Sequence, residues 1–350
     1  MSETQQMEIL ALKEAGLRYI SGTEDGYCRI LKGKKFVYLD KKSQPISDER
    51  ILERIKALVL PPAWTAVWIC RHPNGHLQAT GVDARGRKQY RYHPDWTSLR
   101  SEKKFVNLYT FGKRLPLLKK QLVRDLRKRS LLRDKVCALA IAVMDKTSFR
   151  AGNRSYEKAN GSYGLTTLKN RHIKKISTNK LFFKFVGKKG VLQQSYLKEK
   201  SLVKLLLKVK EIPGQRIFQY YDEAGEIRAL ESGDINNYLK DAMKMDASCK
   251  NFRTWNGCLL ALANMLTLPI PENKTMRKKN MLALIDNVAQ TLGNTRTVTR
   301  SHYIHPRILL HYENGKLDSW IKKMQSKQEE VLDAAIKKKL FSLLKNAATD

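Results

Sequence analysis

One tyrosine towards the C-terminal end of the sequence lies among cationic side chains. Residues 293–305 hold Tyr303 together with Arg296, Arg300 and His302. A phenol in basic surroundings is either a contact to a phosphate or a nucleophile directed at one. Three earlier segments supply side chains that would complete a site around a phosphodiester, and these are residues 149–152, 185–188 and 252–255.

Covalent cleavage of a phosphodiester needs a nucleophile, fixed cations for the non-bridging oxygens and an acid for the leaving oxygen. Arginine suits the second role because its fork binds two phosphate oxygens and keeps its charge, and lysine suits the third because it can lose its proton. A tyrosine nucleophile would retain the bond energy in an aryl phosphate ester, so resealing would need no ATP, and none of these roles requires a metal.

On the residues alone, the interpretation of this pattern stays open. A tyrosine more often packs its ring than acts as a nucleophile. A single arginine in so basic a chain is more often solvated or in contact with a phosphate than catalytic.

The composition favours a polyanionic partner. The chain has 350 residues, 42% of them hydrophobic, which suffices for a sizeable core and for two or three domains. It carries 67 Lys and Arg against 33 Asp and Glu, a net charge of +34. Such a surplus is typical of a protein that binds nucleic acid, and the alternatives are a membrane surface or a ribosome.

The sequence predicts no membrane span, metal site or cofactor. No apolar run is long enough to cross a bilayer, and the N-terminus lacks the features of a signal peptide. The five cysteines form no C-x-x-C pair, and His72 and His76 flank a turn instead of sharing a helix face. We therefore expect a cytoplasmic, DNA-associated protein, located at the nucleoid if the host is bacterial.

The N-terminal part of the sequence predicts a small sheet with helices. A short amphipathic helix is predicted at residues 7–20 and a β-hairpin at residues 26–40, followed by a helix with Ser47 as its cap. Further strands are predicted at residues 64–70, 76–80 and 88–93.

The last of these strands interleaves cations with aromatic residues. Alternation places Lys88, Tyr90 and Tyr92 on one face and Arg91 on the other, with Arg87 just before the strand. This pattern suits contact with the sugar-phosphate backbone of DNA, although an ordinary exposed strand has the same pattern.

The rest of the sequence is mostly helical in its pattern. Helices are predicted at residues 97–128, 131–144, 199–211, 232–244, 251–266 and 276–292, the second of them apolar on most sides. Ser232 is expected to cap one helix and Gly293 to end another. Pro306 keeps His305 out of the helical region, which leaves Tyr303 on a short helical turn before a new helix.

Three further segments complete the prediction for this part. Residues 151–164 are predicted to form a loop because they are rich in glycine and asparagine. Strands at residues 181–186 and 191–196 form a hairpin with lysines at its tip. Residues 316–346 form one or two charged amphipathic helices.

Together these elements predict an α+β protein. A small, mainly antiparallel β domain is expected at residues 1–96 and a larger, mostly α-helical catalytic domain with the β-hairpin at residues 97–315. A basic helical tail covers residues 316–350, and the boundary between the first two domains is expected near residues 94–102.

The order and spacing of these segments resemble the type IB DNA topoisomerases, in particular the small branch found in bacteria and poxviruses. The resemblance extends over residues 17–312. In the N-terminal part it rests on the runs at residues 60–64, 75–81 and 83–92. In the catalytic part it rests on Arg150 and on residues 164–170, 185–188, 252–255 and 293–303.

The resemblance implies a role for each of five residues. Tyr303 would attack phosphorus and form a 3′-phosphotyrosyl link, Arg150 and Arg253 would bind the non-bridging oxygens, and Lys188 would protonate the 5′-oxygen. The family often has histidine nine residues before the tyrosine, where this sequence has Asn294. An asparagine amide still donates a hydrogen bond to a phosphate oxygen, but it carries no charge.

Further residues are expected to contact DNA. Lys250 matches a basic position of the family, and Tyr90, Tyr156 and Thr167 resemble positions that contact DNA there, although they could equally be structural. The complete set of expected DNA contacts is Lys250, Tyr90, Arg87, Lys88, Tyr156, Thr167, Lys169, Arg296 and Arg300. His302 and His305 are interpreted as phosphate contacts or packing residues in preference to bases.

The function implied by the resemblance is the relaxation of supercoiled DNA. The two domains would close as a clamp around double-stranded DNA, and a monomer would nick one strand, let it swivel and reseal it without ATP or metal. The alternatives are a tyrosine site-specific recombinase, whose site is closely related, and a basic protein that binds DNA or RNA without catalysis.

Overall fold

The computed structural model of this protein describes residues 3–84 and 86–345. It divides into two compact units, Met1–Lys103 and Lys104–Asp350. The boundary between the units falls within one long helix. None of the helices in the described ranges combines the length and the apolarity that a bilayer crossing requires.

The first unit is built on an antiparallel sheet. Its elements are α1 (Glu3–Glu14), β1 (Gly26–Lys32), β2 (Lys35–Leu39), α2 (Glu49–Ala57), β3 (Thr65–Cys70), β4 (Leu77–Val82), β5 (Lys88–Tyr92) and the start of α3 (Pro94–Leu126). The described strands form one sheet in the order β2-β1-β3-β4-β5. Alternation along β3 buries Val67 and Ile69, and these pack with Tyr27, Ile55 of α2 and Ala79.

Two details of the first unit correct the sequence-based prediction. Asp48, and not Ser47, caps α2, because its carboxylate accepts hydrogen bonds from the backbone N–H groups of Arg50 (2.9 Å) and Ile51 (3.3 Å). Helix α1 also ends before residue 20, since Gly16 adopts the left-handed conformation (φ 68°) that commonly stops a helix.

The second unit is mostly helical. After α3 come α4 (Arg133–Thr147), α5 (Arg154–Asn160), β6 (Ile173–Ser177), β7 (Lys180–Val186), β8 (Leu192–Leu197), α6 (Lys200–Lys210), β9 (Gln219–Tyr221) and β10 (Ile227–Ala229). The helices that follow are α7 (Ser232–Met243), α8 (Cys249–Thr267), α9 (Lys274–Leu292), α10 (Arg296–His302), α11 (Pro306–Glu313), α12 (Asp318–Gln325) and α13 (Glu329–Lys345). Strands β6, β7 and β8 form an antiparallel sheet, and β9 pairs with β10.

Helix α4 lies in the core of this unit, as its apolar sequence predicts. Most of its side chains are buried, and it is joined in one apolar cluster by α8 and by the C-terminal helix α13. Helix α8 approaches α3 closely at Gly112, where an added Cβ would lie 2.5 Å from the ring of Trp255. The predicted tail is two helices, and α13 buries Ile336 and Leu340 in the same core.

Three predictions for this unit need correction. Residues 151–164 are not all loop, because the side chain of Asn153 caps the exposed helix α5. The hairpin gains a third strand, β6, which pairs with β7. Ser232 is the first residue of α7 and not its cap, since Glu231 occupies the cap position and its N–H donates to the carboxylate of Asp234 (2.9 Å). The α+β class is confirmed.

Candidate active site

Arg150 follows a sharp turn at the end of α4. Ser148 ends the helix in the left-handed conformation (φ 54°), and its N–H donates to the carbonyl of Met144 (2.8 Å). The next residue, Phe149, is buried against the rings of Phe183 and Phe185, with centroids 5.5 Å and 4.8 Å away. This anchor fixes the backbone from which Arg150 extends.

A second segment holds the backbone of Arg150 from the other side. The N–H of Leu165 donates to the carbonyl of Arg150 (2.8 Å). The approach is so close that a Cβ on Gly164 would lie 2.6 Å from the backbone of Gly152. Thr167 is 1% exposed, and its hydroxyl accepts from the N–H of Gly164 (2.9 Å). In this position Thr167 supports the loop, in agreement with the structural alternative.

Arg253 is the most deeply buried cation of the predicted site, with 4% of its surface exposed. It lies in the first turns of α8, where its Nη1 donates to the carbonyl of Ser148 and its Nη2 to the carbonyl of Leu292 (2.6 Å). Its Nε is buried and has no hydrogen-bond partner among the described residues. A guanidinium carries five N–H donors, so several remain for a ligand.

Asn294 contacts Arg150 across 144 residues of sequence. Nη2 of Arg150 donates to Oδ1 of Asn294 at 2.6 Å. Because arginine has no acceptor, the oxygen of the amide must face it, and this leaves the donor group Nδ2 on the other side. That Nδ2 is buried and lacks a partner in the described part of the chain. Gly293 before it ends α9 in the left-handed conformation (φ 59°), as predicted.

Tyr303 ends the short helix α10, which confirms the predicted helical turn. Its ring centroid lies 5.1 Å from Cζ of Arg253. Helix α8 contacts its backbone directly, because an added Cβ on Gly257 would lie 2.5 Å from the carbonyl oxygen of Tyr303. Cys258 contacts the same carbonyl through Sγ (3.6 Å) and accepts from the N–H of His305 (3.3 Å).

Lys188 lies at the tip of the β7–β8 hairpin, as predicted. The turn is held by a hydrogen bond from the N–H of Gly187 to the carbonyl of Val191 (2.8 Å) and by Lys189 in the left-handed region (φ 63°). Burial lowers the pKa of Lys188, the charge of Arg150 lowers it further, and Tyr303 raises it. Lys250 also lowers this pKa, which brings it into the same cluster.

The cluster is strongly cationic. Burial lowers the pKa of Arg253 to about 10, the charge of Arg150 adds to this effect, and Tyr303 opposes it. Apart from burial, the main influences on the pKa values of Lys188 and Arg253 are neighbouring cations and Tyr303. An anion bound here would relieve the mutual repulsion of these cations and would accept hydrogen bonds from their remaining N–H groups. The cluster is therefore suited to bind a phosphate group while negative charge builds on its oxygens during a substitution at phosphorus.

The other expected contacts in this unit have different environments. Arg296 forms a bidentate ion pair with Asp286 (2.7 and 2.6 Å) on α9. Lys169 pairs with Glu157 (3.3 Å), which also binds Arg216, while Tyr156 on α5 is 56% exposed. Arg300 is exposed on α10.

His305 is buried and caps α11, where its Nδ1 accepts from the N–H of Arg307 (3.1 Å). Its ring packs edge-on against Phe105 at 4.9 Å. Burial lowers its pKa to about 4, and the charge of Arg307 contributes to the same direction. The histidine is therefore neutral and structural, in agreement with the packing alternative.

The predicted surface of β5 belongs to the first unit. Tyr90 and Tyr92 stack with ring centroids 6.1 Å apart, and Nζ of Lys88 lies 5.8 Å from the ring of Tyr90. These contacts confirm that the three side chains share one face, as strand alternation predicts. Arg87 lies beside them and pairs with Asp83 (2.6 Å).

Sequence reasoning missed the residues that support the site. Ser148 and Leu292 carry no sequence signal for their contact with Arg253, because they offer it backbone carbonyl groups, which every residue has. Three further supporting residues follow Arg253 on α8, and these are Asn256, Gly257 and Cys258. Only their spacing from Arg253 along the helix could have indicated them. Within residues 3–84 and 86–345, no three His, Cys, Asp or Glu side chains come together as a metal site.

Comparison with known proteins identifies the family to which the sequence is related. The family model described as "Eukaryotic DNA topoisomerase I, catalytic core" matches residues 93–332, and that described as "Bacterial DNA topoisomerase IB, N-terminal domain" matches residues 35–83. The DNA topoisomerase 1B of Acanthamoeba polyphaga mimivirus is 31% identical over 298 residues, which is 83% of this chain and 88% of the relative. The DNA topoisomerase I of Monkeypox virus is 28% identical over 238 residues, which is 65% of this chain and 70% of the relative. The chain therefore belongs to the type IB DNA topoisomerase family.

Proposed function

We propose that the chain relaxes supercoiled double-stranded DNA through a transient covalent bond between Tyr303 and one strand. The observation that carries the proposal is the convergence of Tyr303 and Arg253, 5.1 Å apart from ring centroid to Cζ, with Arg150, Asn294 and Lys188 around them. All five residues come from one chain, so a monomer would suffice for the reaction.

The chemical step is a substitution at phosphorus. The phenolic oxygen of Tyr303 forms a bond to the phosphorus, and the bond from phosphorus to the 5′-oxygen breaks. The phenolic proton leaves to solvent or a nearby base, and the departing 5′-oxygen gains a proton. The product is a 3′-phosphotyrosyl ester and a free 5′-hydroxyl end, which can rotate about the intact strand. Reversal of the same step reseals the strand, and neither ATP nor a metal enters the balance.

Two arginines and one amide would stabilise the transition state. Charge builds on the non-bridging oxygens as the substitution proceeds, and fixed donors that are already in position cost no reorganisation at that moment. Arg150 and Arg253 supply permanent charges. Nε of Arg253 and Nδ2 of Asn294 are buried donors without a partner in the described part of the chain, and they are suited to donate hydrogen bonds to these oxygens.

Lys188 would donate the proton to the leaving 5′-oxygen. Its hairpin position gives it reach, and its lowered pKa makes it a stronger acid than an ordinary lysine. Binding of the DNA phosphate would raise that pKa again, which would keep the lysine protonated until the bond breaks.

The direct test is to identify the residue that becomes attached to DNA. Supercoiled plasmid is incubated with the wild type, Tyr303→Phe or Tyr196→Phe, the reaction is stopped with SDS, and nuclease-trimmed peptides are analysed by mass spectrometry. Tyr196 is a matched control because it is an exposed tyrosine on β8. We expect a nucleotide adduct on Tyr303 in the wild type and in Tyr196→Phe, and none in Tyr303→Phe. An adduct on a different residue would refute the proposal.

A further inference from the structure

Asn256 joins α8 to the end of α4. It lies one turn after Arg253, so the two side chains share a helix face. It is buried, and its Nδ2 donates hydrogen bonds to the carbonyl of Asp145 (3.0 Å) and to Oγ of Ser148 (3.1 Å). The carbonyl of Asp145 lies in the last turn of α4, where carbonyl groups run out of partners along the helix, and Ser148 is the residue that caps this end.

Ser148 is the point at which the two catalytic arginines meet. Its carbonyl accepts from Nη1 of Arg253, and Arg150 follows it by two residues. Its left-handed conformation (φ 54°) is unfavourable for a residue with a Cβ, so the surrounding contacts must hold it there. Asn256 supplies such a contact from the same helix that carries Arg253.

We propose that Asn256 is a positioning residue that acts through Ser148 to hold Arg253 and Arg150 at a fixed spacing around the scissile phosphate. The inference rests on the proposed function, because this spacing matters for the rate only if both arginines bind the phosphate that is cleaved. Asn256 itself has its Nδ2 group occupied by the carbonyl of Asp145 and by Oγ of Ser148.

The expected cost follows from geometry. Without the amide, Oγ of Ser148 and the carbonyl of Asp145 lose a donor, and the turn loses one of its constraints. The carbonyl of Ser148 can then rotate away from Arg253, and the two guanidinium groups no longer keep one separation. A displacement of about 1 Å in a catalytic group costs on the order of 100-fold in rate.

The test separates cleavage from binding. On a duplex that the wild type cleaves, the rate of adduct formation is measured at saturating protein, together with the Kd for the same duplex and the thermal midpoint of each variant. We expect Asn256→Ala to cleave about 10- to 100-fold more slowly with an unchanged Kd. Asn264→Ala is the matched control, because Asn264 lies on the same helix and its amide also donates to a backbone carbonyl, that of Leu260 (2.8 Å).

A double-mutant cycle tests the route through Ser148. If Asn256 acts through this serine, Ser148→Ala slows cleavage as well, and the double variant is no slower than the slower single variant. Asn256→Asp, which keeps the shape and removes the donors, replaces Asn256→Ala if that variant does not fold, and carries the same expectation. Wild-type rates in both Asn256 variants, equal losses in Asn264→Ala, or losses that multiply in the double variant overturn the inference. Absence of any adduct in the wild type would refute the proposed function and this inference with it.

Discussion

At the scale of single residues, the candidate site contains buried donors that have no partner among the described residues. Arginine cannot accept a hydrogen bond, so the contact between Arg150 and Asn294 orients the amide and turns its Nδ2 group away. The uncharged Asn294 lies at a position where the family often has histidine. We propose that the amide serves there by binding Arg150 through its oxygen and offering its nitrogen donor to an anion.

Asn294→Ala tests this role. The variant loses the buried Nδ2 donor, and we expect the cleavage rate to fall about 100-fold, the usual cost of removing one donor from an oxyanion site. Asn294→His should retain most of the activity because the ring can still donate. The measurement is single-turnover adduct formation, and equal rates for the alanine variant and the wild type would contradict the assignment.

The lowered pKa of Lys188 predicts a pH dependence. A proton donor must be charged before the bond breaks, so cleavage should fall as the pH rises through the pKa of Lys188 in the folded protein, which lies below the usual lysine value. Lys188→Ala should lose this limb of the profile together with most of its activity.

A modified substrate supplies the control for Lys188. If sulfur replaces the 5′-oxygen at the scissile bond, the leaving group is a thiolate, which departs without a proton because thiols are far stronger acids than alcohols. Lys188→Ala should then cleave at nearly the wild-type rate. Continued inactivity on the sulfur substrate would mean that Lys188 does not act as the acid.

His305 predicts a second pH effect, on stability. Its folded-state pKa of about 4 lies below its ordinary value, so the unfolded chain takes up the proton first as the pH falls. Stability from this group is present above about pH 6.5 and is lost towards pH 4, by roughly 3 kcal/mol in total. His305→Asn keeps an N-cap acceptor, and its free energy of unfolding, measured in urea, should decline less over this range. Identical pH profiles would refute the assignment.

At the scale of elements, helix α8 organises the site. On adjacent turns of this helix, Arg253 contacts the end of α9 and Asn256 contacts the end of α4. Gly257 and Cys258 both contact the backbone of Tyr303. One rigid helix thus relates three loops that come from distant parts of the sequence.

Gly257→Ala tests the contact between α8 and Tyr303. An added Cβ would lie 2.5 Å from the carbonyl oxygen of Tyr303, so the backbone of the nucleophile must move. We expect a loss of cleavage together with a destabilisation of about 1–3 kcal/mol. Gly233→Ala is the control, because this glycine of α7 has open space around its Cβ position, and the change should be neutral or stabilising. A Gly257→Ala variant with full activity would exclude a close contact.

Elements with a strong local signal could be predicted from sequence. The apolar run of α4, the lysine hairpin and the glycine that ends α9 all follow from periodicity and backbone preference. Helix α5 could not, because it is short, polar and exposed, and its glycine-rich flanks resemble a loop. Ser47 and Asp48 are both good helix caps and are adjacent in the sequence. Which of them caps α2 depends on the residue at which the backbone becomes helical, and local composition does not determine that residue.

At the scale of the whole molecule, the sequence proposes candidate residues for the site but not the contacts between them. The basic surplus and the tyrosine indicated phosphate chemistry, and the resemblance selected the five residues. The contact between Arg150 and Asn294, which joins residues 144 positions apart, needed the fold. Thr167 illustrates the same limit, since the sequence left a DNA contact and a structural role open, and its burial against Gly164 is seen only in the fold.

The most direct test of the central claim is relaxation of supercoiled plasmid in EDTA and without ATP, with the wild type beside Tyr303→Phe and Tyr196→Phe. We predict that the wild type and Tyr196→Phe relax supercoils of either sign and that Tyr303→Phe binds the plasmid without relaxing it. Relaxation by Tyr303→Phe, or a requirement of the wild type for ATP or a divalent metal, would contradict the mechanism.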